Sequence, residues 1–316
     1  MDLGSFREAA DRIAPYIKRT PLEYSHSLSK RMGTSISVKY ELFQRTGSFK
    51  VRGAFNKLLQ MPDSERSRGV VAVSGGNHAQ AVAFAAAKLG VDAVIVMPEN
   101  TPAASVAATR DYGARVDLEP TIAECFEKVR EYEDQGRVFV HPFDDEEIIT
   151  GQGTLGLEIV DTLPDVTDVI VSIGGGGMAA GVAVACRQAR PGVRVWGVET
   201  EGADAMSQAI AAGAPVELPA ITSIAKTLGA PYVSERTLSL IRENLESVTV
   251  VTDQDAVRSM ELIAERLKVV AEPAAACTLA AAERLRVQFT EQSRVVLVLC
   301  GGNTSLKDAC TYLAMF

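Results

Sequence analysis

The chain has 316 residues, 47% of them hydrophobic and 23% charged, enough for one large or two moderate domains with a real core. Its net charge of −8 argues against nucleic acid or an anionic membrane as the main partner, since either wants a basic face. Cys125, Cys186, Cys277, Cys300 and Cys310 are scattered and form no C-x-x-C pair, so neither a disulfide framework nor a zinc site is expected, and a reducing cytoplasm is.

The opening MDLGSFREAADRIAPYI lacks a basic segment followed by an apolar one and does not read as a secretion signal. No apolar run reaches about 18 residues, so no membrane span is expected. SISVKYEL (35–42) is the first candidate strand. RTGSFKVRGA (45–54) then opens a helix, with Ser48 as its expected N-cap and apolar residues following at helical spacing. Lys50 therefore falls in the first turn, beside the positive end of the macrodipole and two residues from Arg52. Both neighbours disfavour an ammonium and lower its pKa. The ordinary reading is a solvated surface lysine; the sharper one is a lysine that works as an imine.

Further candidate strands are GVVAVS (69–74), DAVIVMP (92–98), ARVDLE (114–119) and VFVHPF (138–143). DVIVSI (168–173), VRVWGV (193–198), VTVVT (248–252) and RVVLVLC (294–300) follow. Helical stretches such as 78–90, 179–189 and 256–267 lie between them, and DDEE (144–147) reads as an acidic helix start. This alternation predicts an α/β fold with mainly parallel sheets.

In such sheets ligands sit at the carboxyl ends of strands. Three glycine-rich loops fall there: SGGNH (74–78), IGGGGM (173–178) and CGGN (300–303). The run Gly174–Gly177 offers bare amides at a helix start, a cradle for phosphate. It is not a Walker loop, because no Lys-Ser/Thr follows. A nucleotide reading would use Glu199, at the end of the next strand, as a ribose-binding acid. Gly75 and Gly76 suit a carboxylate, with Ser74, Asn77 and His78 adding directed groups. Cys300, by itself, reads as a buried structural cysteine.

Taken together, these segments resemble the fold-type II pyridoxal-phosphate enzymes, in their serine/threonine dehydratase and serine racemase group. The resemblance is carried by TPLEYSHSLSKRMG (20–33), TGSFKVRGAFNKL (46–58), SGGNHAQAVAFAA (74–86) and VMPENTPAASVAATRDYGARV (96–116). It continues through GQGTLGLEI (151–159), IGGGGMAAGVA (173–183), GVETEGADAM (197–206), AEPAAACTLAA (271–281) and LCGGN (299–303). It implies that Lys50 carries pyridoxal phosphate as a Schiff base and later serves as the base on Cα. It further implies that Gly174, Gly175, Gly176, Gly177 and Met178 hold the phosphate, that Asn77 bonds the ring's 3′-oxygen and that Phe49 packs on the ring. Cys300 then faces the pyridine nitrogen. The substrate carboxylate docks on Ser74, Gly75, Gly76, Asn77 and His78.

The resemblance implies two domains, a small one (52–147) inserted in a larger one (1–51 and 148–316), and a homodimer. The expected reaction is β-elimination from an L-serine or L-threonine type substrate, giving a 2-oxo acid and ammonia. Phenylserine or threo-3-hydroxyaspartate dehydratase is an alternative, since AKT (225–227) stands where bacterial threonine enzymes tend to read ADG. Serine racemases of the group place a second Ser at the position of Gly75, which leaves the face opposite Lys50 without a hydroxyl. β-Replacement and a non-catalytic amino-acid or nucleotide binder are the remaining alternatives. A cation site is implied at Glu199 and the Ala203 carbonyl, although the expected third acid falls on Ala205, with Asp204 one residue off. The short stretch after CGGN leaves no room for a C-terminal regulatory domain, so feedback inhibition of that kind is not expected.

Overall fold

Runs of β-branched residues with few polar interruptions form parallel strands covered on both faces. In the computed structural model, which describes residues 1–316, they make two sheets. One has six strands in the order β1 (Leu22–Tyr24), β2 (Ser35–Lys39), β10 (Arg294–Val298), β7 (Asp168–Ser172), β8 (Arg194–Thr200) and β9 (Ser247–Val251). Only the β1–β2 pair is antiparallel. The other sheet is wholly parallel, in the order β5 (Arg115–Glu119), β4 (Ala93–Pro98), β3 (Val70–Val73) and β6 (Val138–Phe139). The expected α/β architecture with mainly parallel sheets is therefore present.

The helices of the first half are α1 (Leu3–Ile13), α2 (His26–Met32), α3 (Val51–Gln60), α4 (Asp63–Arg66), α5 (Asn77–Leu89), α6 (Ala103–Asp111) and α7 (Ile122–Asp134). Those of the second half are α8 (Glu146–Thr162), α9 (Gly177–Ala189), α10 (Ala205–Ala212), α11 (Glu235–Asn244), α12 (Asp253–Leu267), α13 (Pro273–Arg284) and α14 (Leu306–Met315). The acidic start of α8 behaves as its sequence predicts: Asp145 caps the helix through the Ile148 N–H. The Ala-rich helices α5, α9 and α13 carry apolar residues all round and are buried accordingly. Successive residues of β3 serve two cores, Val70 and Ala72 on one face and Val71 and Val73 on the other. In the middle of α8, a Cβ on Gly156 would lie 2.9 Å from the Val182 carbonyl oxygen of α9, so glycine lets the two helix backbones approach.

Two strands fall short of their sequence patterns by three residues or more. The run 35–42 ends at Lys39 because Glu41–Phe43 turns into a 3₁₀ helix. The run 138–143 stops at Phe139, since Pro142 has no N–H to offer and His141 Nδ1 accepts from the Phe143 and Asp144 amides, turning the chain. The short edge strand β1 has no apolar alternation and gave no sequence signal.

Candidate active site

Lys50 lies where the chain turns from an extended segment into α3. Ser48 is extended (φ −159°), buried and bridged to Gly301, and its hydroxyl caps nothing. The expected Ser48 cap is thus corrected: Lys50 itself occupies the N-cap position, in αR conformation and without a side-chain capping bond. The segment is tied to the CGGN loop by the Phe49 N–H, which donates to the Cys300 carbonyl at 3.0 Å. Lys50 Nζ donates to the Pro142 carbonyl oxygen at 2.8 Å and lies 5.2 Å from the centre of the Phe49 ring. Burial brings the amine down from 10.5 to about 8, with the Glu272 carboxylate acting in the opposite direction. The direction matches the sequence expectation, but the cause is desolvation rather than Arg52. The Arg52 guanidinium is engaged by Glu41 (2.8 Å) and Glu158 (2.8 Å).

The glycine run follows β7 and enters α9. Gly176 sits at the N-cap with φ 92°, a conformation that favours glycine. A Cβ on Gly174 would lie 2.9 Å from the Leu228 carbonyl oxygen, and one on Gly175 would run into the Phe143 ring. A Cβ on Gly177 would lie 3.0 Å from the Phe143 backbone. Met178 is buried in the first turn of α9. Since Phe143 follows Pro142, the partner of Lys50, the lysine amine and the glycine run meet across two adjacent residues.

In the SGGNH loop, Ser74 Oγ accepts from the Gly76 N–H at 3.1 Å, and Gly76 is the N-cap of α5. The Ser105 hydroxyl of α6 donates to the Gly75 carbonyl at 2.7 Å. His78 does not present its ring to this loop: Nε2 is 2.8 Å from the Val140 carbonyl oxygen, and burial, reinforced by Lys50, lowers its pKa to about 3. The neutral imidazole is no counter-ion for a carboxylate. What His78 can offer is its main-chain N–H in the first turn of α5, where amides lack helical partners. Asn77 Nδ2 donates to Glu272 Oε1 at 2.9 Å.

Cys300 is buried at the end of β10, with Sγ 4.0 Å from Ser172 Oγ and 3.9 Å from the Ala274 carbonyl oxygen. Burial, then the charge of Glu272, pushes its thiol well above the ordinary value, so it remains neutral. β10 and β7 are parallel neighbours, which sets CGGN and the glycine run side by side.

Glu272, Asn303, Phe143 and His141 escaped the sequence reading as site residues. Glu272 is fully enclosed, and burial raises its carboxyl to about 7 against the opposing effect of Asn77. The signal available for it was a lone acid between Ala271 and Pro273 in an otherwise apolar run.

The implied cation site does not assemble. Glu199 is fully buried, and its carboxylate accepts from the Met206 N–H (3.0 Å), the Ser207 N–H (2.8 Å) and the Ser207 hydroxyl (2.7 Å), capping α10. No group of three or more His, Cys, Asp or Glu residues is arranged to hold a metal ion, and the Ala203 N–H donates to the Thr200 carbonyl at 2.9 Å. The same bonds keep Glu199 from a ribose, which removes the main support for a nucleotide.

The remaining residues fit the cofactor implied by the sequence. A largely buried primary amine titrating near 8, a helix start of bare glycine amides and a neutral buried thiol suit an aldehyde, a phosphate and an uncharged ring nitrogen respectively.

Comparison with known proteins agrees. A family model described as pyridoxal-phosphate dependent enzyme matches residues 13–301. The chain is 41% identical over 304 residues to an L-threonine ammonia-lyase of Geobacter sulfurreducens, covering 95% of this chain and 75% of that protein. It is 37% identical over 313 residues to an L-threo-3-hydroxyaspartate ammonia-lyase of Saccharomyces cerevisiae, covering 98% and 96%. The solved structure of maize serine racemase superposes with a TM-score of 0.93 at 37% identity, covering 99% of this chain and 97% of that one. The chain belongs to the pyridoxal-phosphate dependent enzyme family, within its fold-type II serine/threonine dehydratase-like group.

Proposed function

We propose that this protein is an ammonia-lyase that removes water from a β-hydroxy amino acid of the L-serine or L-threonine type and releases a 2-oxo acid and ammonia. The observation that carries the reading is the bond from the Lys50 amine, brought to about 8 by burial, to the Pro142 carbonyl next to Phe143, which packs on the glycine run, with the neutral thiol of Cys300 just past the neighbouring strand β10. Pyridoxal phosphate, when bound, supplies the electron sink that acidifies the Cα proton. Gly174–Met178 would hold its phosphate and Phe49 would flank its ring. Lys50 Nζ takes the Cα proton as its neutral amine, which a pKa near 8 makes available at neutral pH. The Ser74–His78 loop holds the substrate carboxylate through first-turn amides of α5 and the Ser74 hydroxyl. Cys300 would face the cofactor's ring nitrogen as a neutral thiol and would not hold a proton there as an aspartate would, which suits β-elimination. The proton that Lys50 Nζ takes from Cα is returned to the departing β-hydroxyl, which leaves as water, and a second water hydrolyses the released enamine to the oxo acid and ammonia.

A β-carboxylate substrate such as threo-3-hydroxyaspartate is the second reading. It is supported by Lys226, which is exposed and has no salt bridge, next to Thr227, whose Cγ2 lies 3.7 Å from where a Cβ on Gly76 would be. The segment 52–147 as a small domain that closes over the substrate is also part of the proposal. It is supported by β3 to β6 all falling inside 70–139. A homodimer in a reducing compartment completes it, supported by five unpaired cysteines and by the family resemblance.

The test is ammonia and 2-oxo acid release by the pyridoxal-phosphate-loaded protein offered L-serine, L-threonine, threo-phenylserine and threo-3-hydroxyaspartate. Release from L-serine or L-threonine at the highest kcat/KM is expected. Best turnover of hydroxyaspartate would favour the second reading, and silence on all four would overturn both.

A further inference from the structure

Glu272 stands at the N-cap of α13, yet its side chain makes no capping bond to its own helix. It is 2% exposed. Its carboxylate turns to Asn77, accepting from Nδ2 at 2.9 Å through Oε1. Oε2 has no well-formed hydrogen bond, with the Thr227 hydroxyl and the main-chain N–H of Asn303 nearby. A buried carboxylate without a strong ion pair is costly, so its placement needs a reason.

The reason lies at the far end of Asn77. Asn77 Oδ1 accepts from Asn303 Nδ2 at 2.6 Å, and the same nitrogen donates to the Thr46 carbonyl at 2.8 Å. The four groups form one directed chain. The Thr46 carbonyl accepts only, which fixes the NH₂ of Asn303 towards Thr46 and Asn77. That fixes Asn77 with its oxygen towards Asn303 and its NH₂ towards Glu272, which offers an acceptor in either protonation state. Flipping the Asn77 amide would set NH₂ against NH₂ and oxygen against carboxylate. One N–H of Asn77 Nδ2 stays uncommitted.

The chain also joins three of the site's segments: the Lys50 segment, the SGGNH loop and the CGGN loop. Thr46 and Gly47 both have positive φ (58° and 73°) just before Lys50, and a Cβ on Gly47 would collide with the Asn303 amide. A Cβ on Gly301 would collide with Glu272. The backbone on both sides is shaped to admit these side chains.

We propose that Glu272 and Asn303 are positioning residues that lock the amide of Asn77 so that its free N–H is presented to the ring oxygen of the cofactor. This inference rests on the pyridoxal-phosphate reading above. Glu272 acts through Asn77 and touches neither the substrate nor the reacting bonds. The role demands an acceptor oxygen at Glu272, not a charge, and an amide donor at Asn303.

The experiment compares Glu272→Gln, Glu272→Ala and Asn303→Asp with the wild-type protein, reading cofactor affinity by equilibrium dialysis and the visible absorbance of the bound cofactor from pH 6 to 9. Glu272→Gln keeps an acceptor for Asn77 and is expected to stay within about threefold of wild type. Glu272→Ala is expected to lose about tenfold or more in affinity and to shift the absorbance. Asn303→Asp, which places an acceptor against the Asn77 oxygen, is expected to do the same and keeps the test open if Glu272→Ala does not fold. Equal losses for Gln and Ala would show that charge is what matters and overturn the inference. Wild-type behaviour of Glu272→Ala or of Asn303→Asp would overturn it too. No cofactor uptake by wild type would instead sink the cofactor reading itself.

Discussion

Lys50 and Phe143 are coupled through one peptide unit: Lys50 Nζ donates to the Pro142 carbonyl at 2.8 Å, and the next residue lays its ring against Gly175. The amine is thereby held beside the glycine run that is proposed to take the phosphate. Its lowered pKa has a direct consequence. Protonated and neutral amine are equal near pH 8, and only the neutral form attacks an aldehyde. The rate at which the cofactor-free protein captures pyridoxal phosphate is expected to rise with pH and level off above about 8. An unperturbed lysine would keep gaining to beyond pH 10. Stopped-flow absorbance over pH 6–10 measures this, and a midpoint near 10.5 would contradict the burial argument. Lys50→Ala should abolish both covalent capture and turnover.

Arg52 is the side chain that anchors the helix behind Lys50. It is fully buried and bonds both oxygens of Glu41 (each 2.8 Å), both of Glu158 (2.8 and 3.0 Å) and the Thr154 hydroxyl (3.1 Å). Lys39 adds a second cation on Glu158 at 2.5 Å. Removing the guanidinium leaves Glu41, which is 0% exposed, without its ion-pair partner. Arg52→Met is therefore expected to cost about 3–5 kcal/mol in urea unfolding. The double variant Arg52→Met with Glu41→Gln should recover part of that loss. A cost below about 1 kcal/mol would mean that water reaches the site and replaces the ion pair.

Much of this was legible in the sequence, for a physical reason. Parallel strands buried on both faces need apolar runs, and the central strands β3, β4, β7 and β10 could be read directly from them; β1, an exposed three-residue edge strand, could not. The glycine loops were legible because bare amides at helix starts have few other uses. Hydrogen-bond partners were not. Ser48 looked like a cap from spacing alone, but its backbone is pinned to Gly301, 253 residues away in sequence and invisible locally. Glu272 and Asn303 gain meaning only when Asn77, on the other sheet's helix, is brought between them. His78 could be read from sequence either as a directed group or as a helix-start residue bonded to backbone, and only the fold shows its ring on the Val140 carbonyl.

Gly75 is where the choice between elimination and racemisation can be tested. A Cβ at this position would lie 2.6 Å from Thr101 Oγ1 and 3.2 Å from Thr101 Cγ2, so Thr101 fills the space a residue-75 side chain would need. Gly75→Ser alone must then displace Thr101 or the loop that is proposed to hold the substrate carboxylate. Its main effect is expected to be a rise in KM of about tenfold, equivalent to about 1.4 kcal/mol of lost binding. Thr101→Ala removes both clashing atoms, so the double variant Gly75→Ser, Thr101→Ala should recover KM. It also places a hydroxyl where serine racemases of this group carry one. Chiral chromatography of L-serine incubations is then expected to show D-serine from the double variant and none from wild type. Recovered KM without D-serine would mean that the loop is restored but one hydroxyl does not make a second-face acid. D-serine from wild type would mean that a group already present, with the Thr101 hydroxyl beside Gly75 the first to examine, protonates that face.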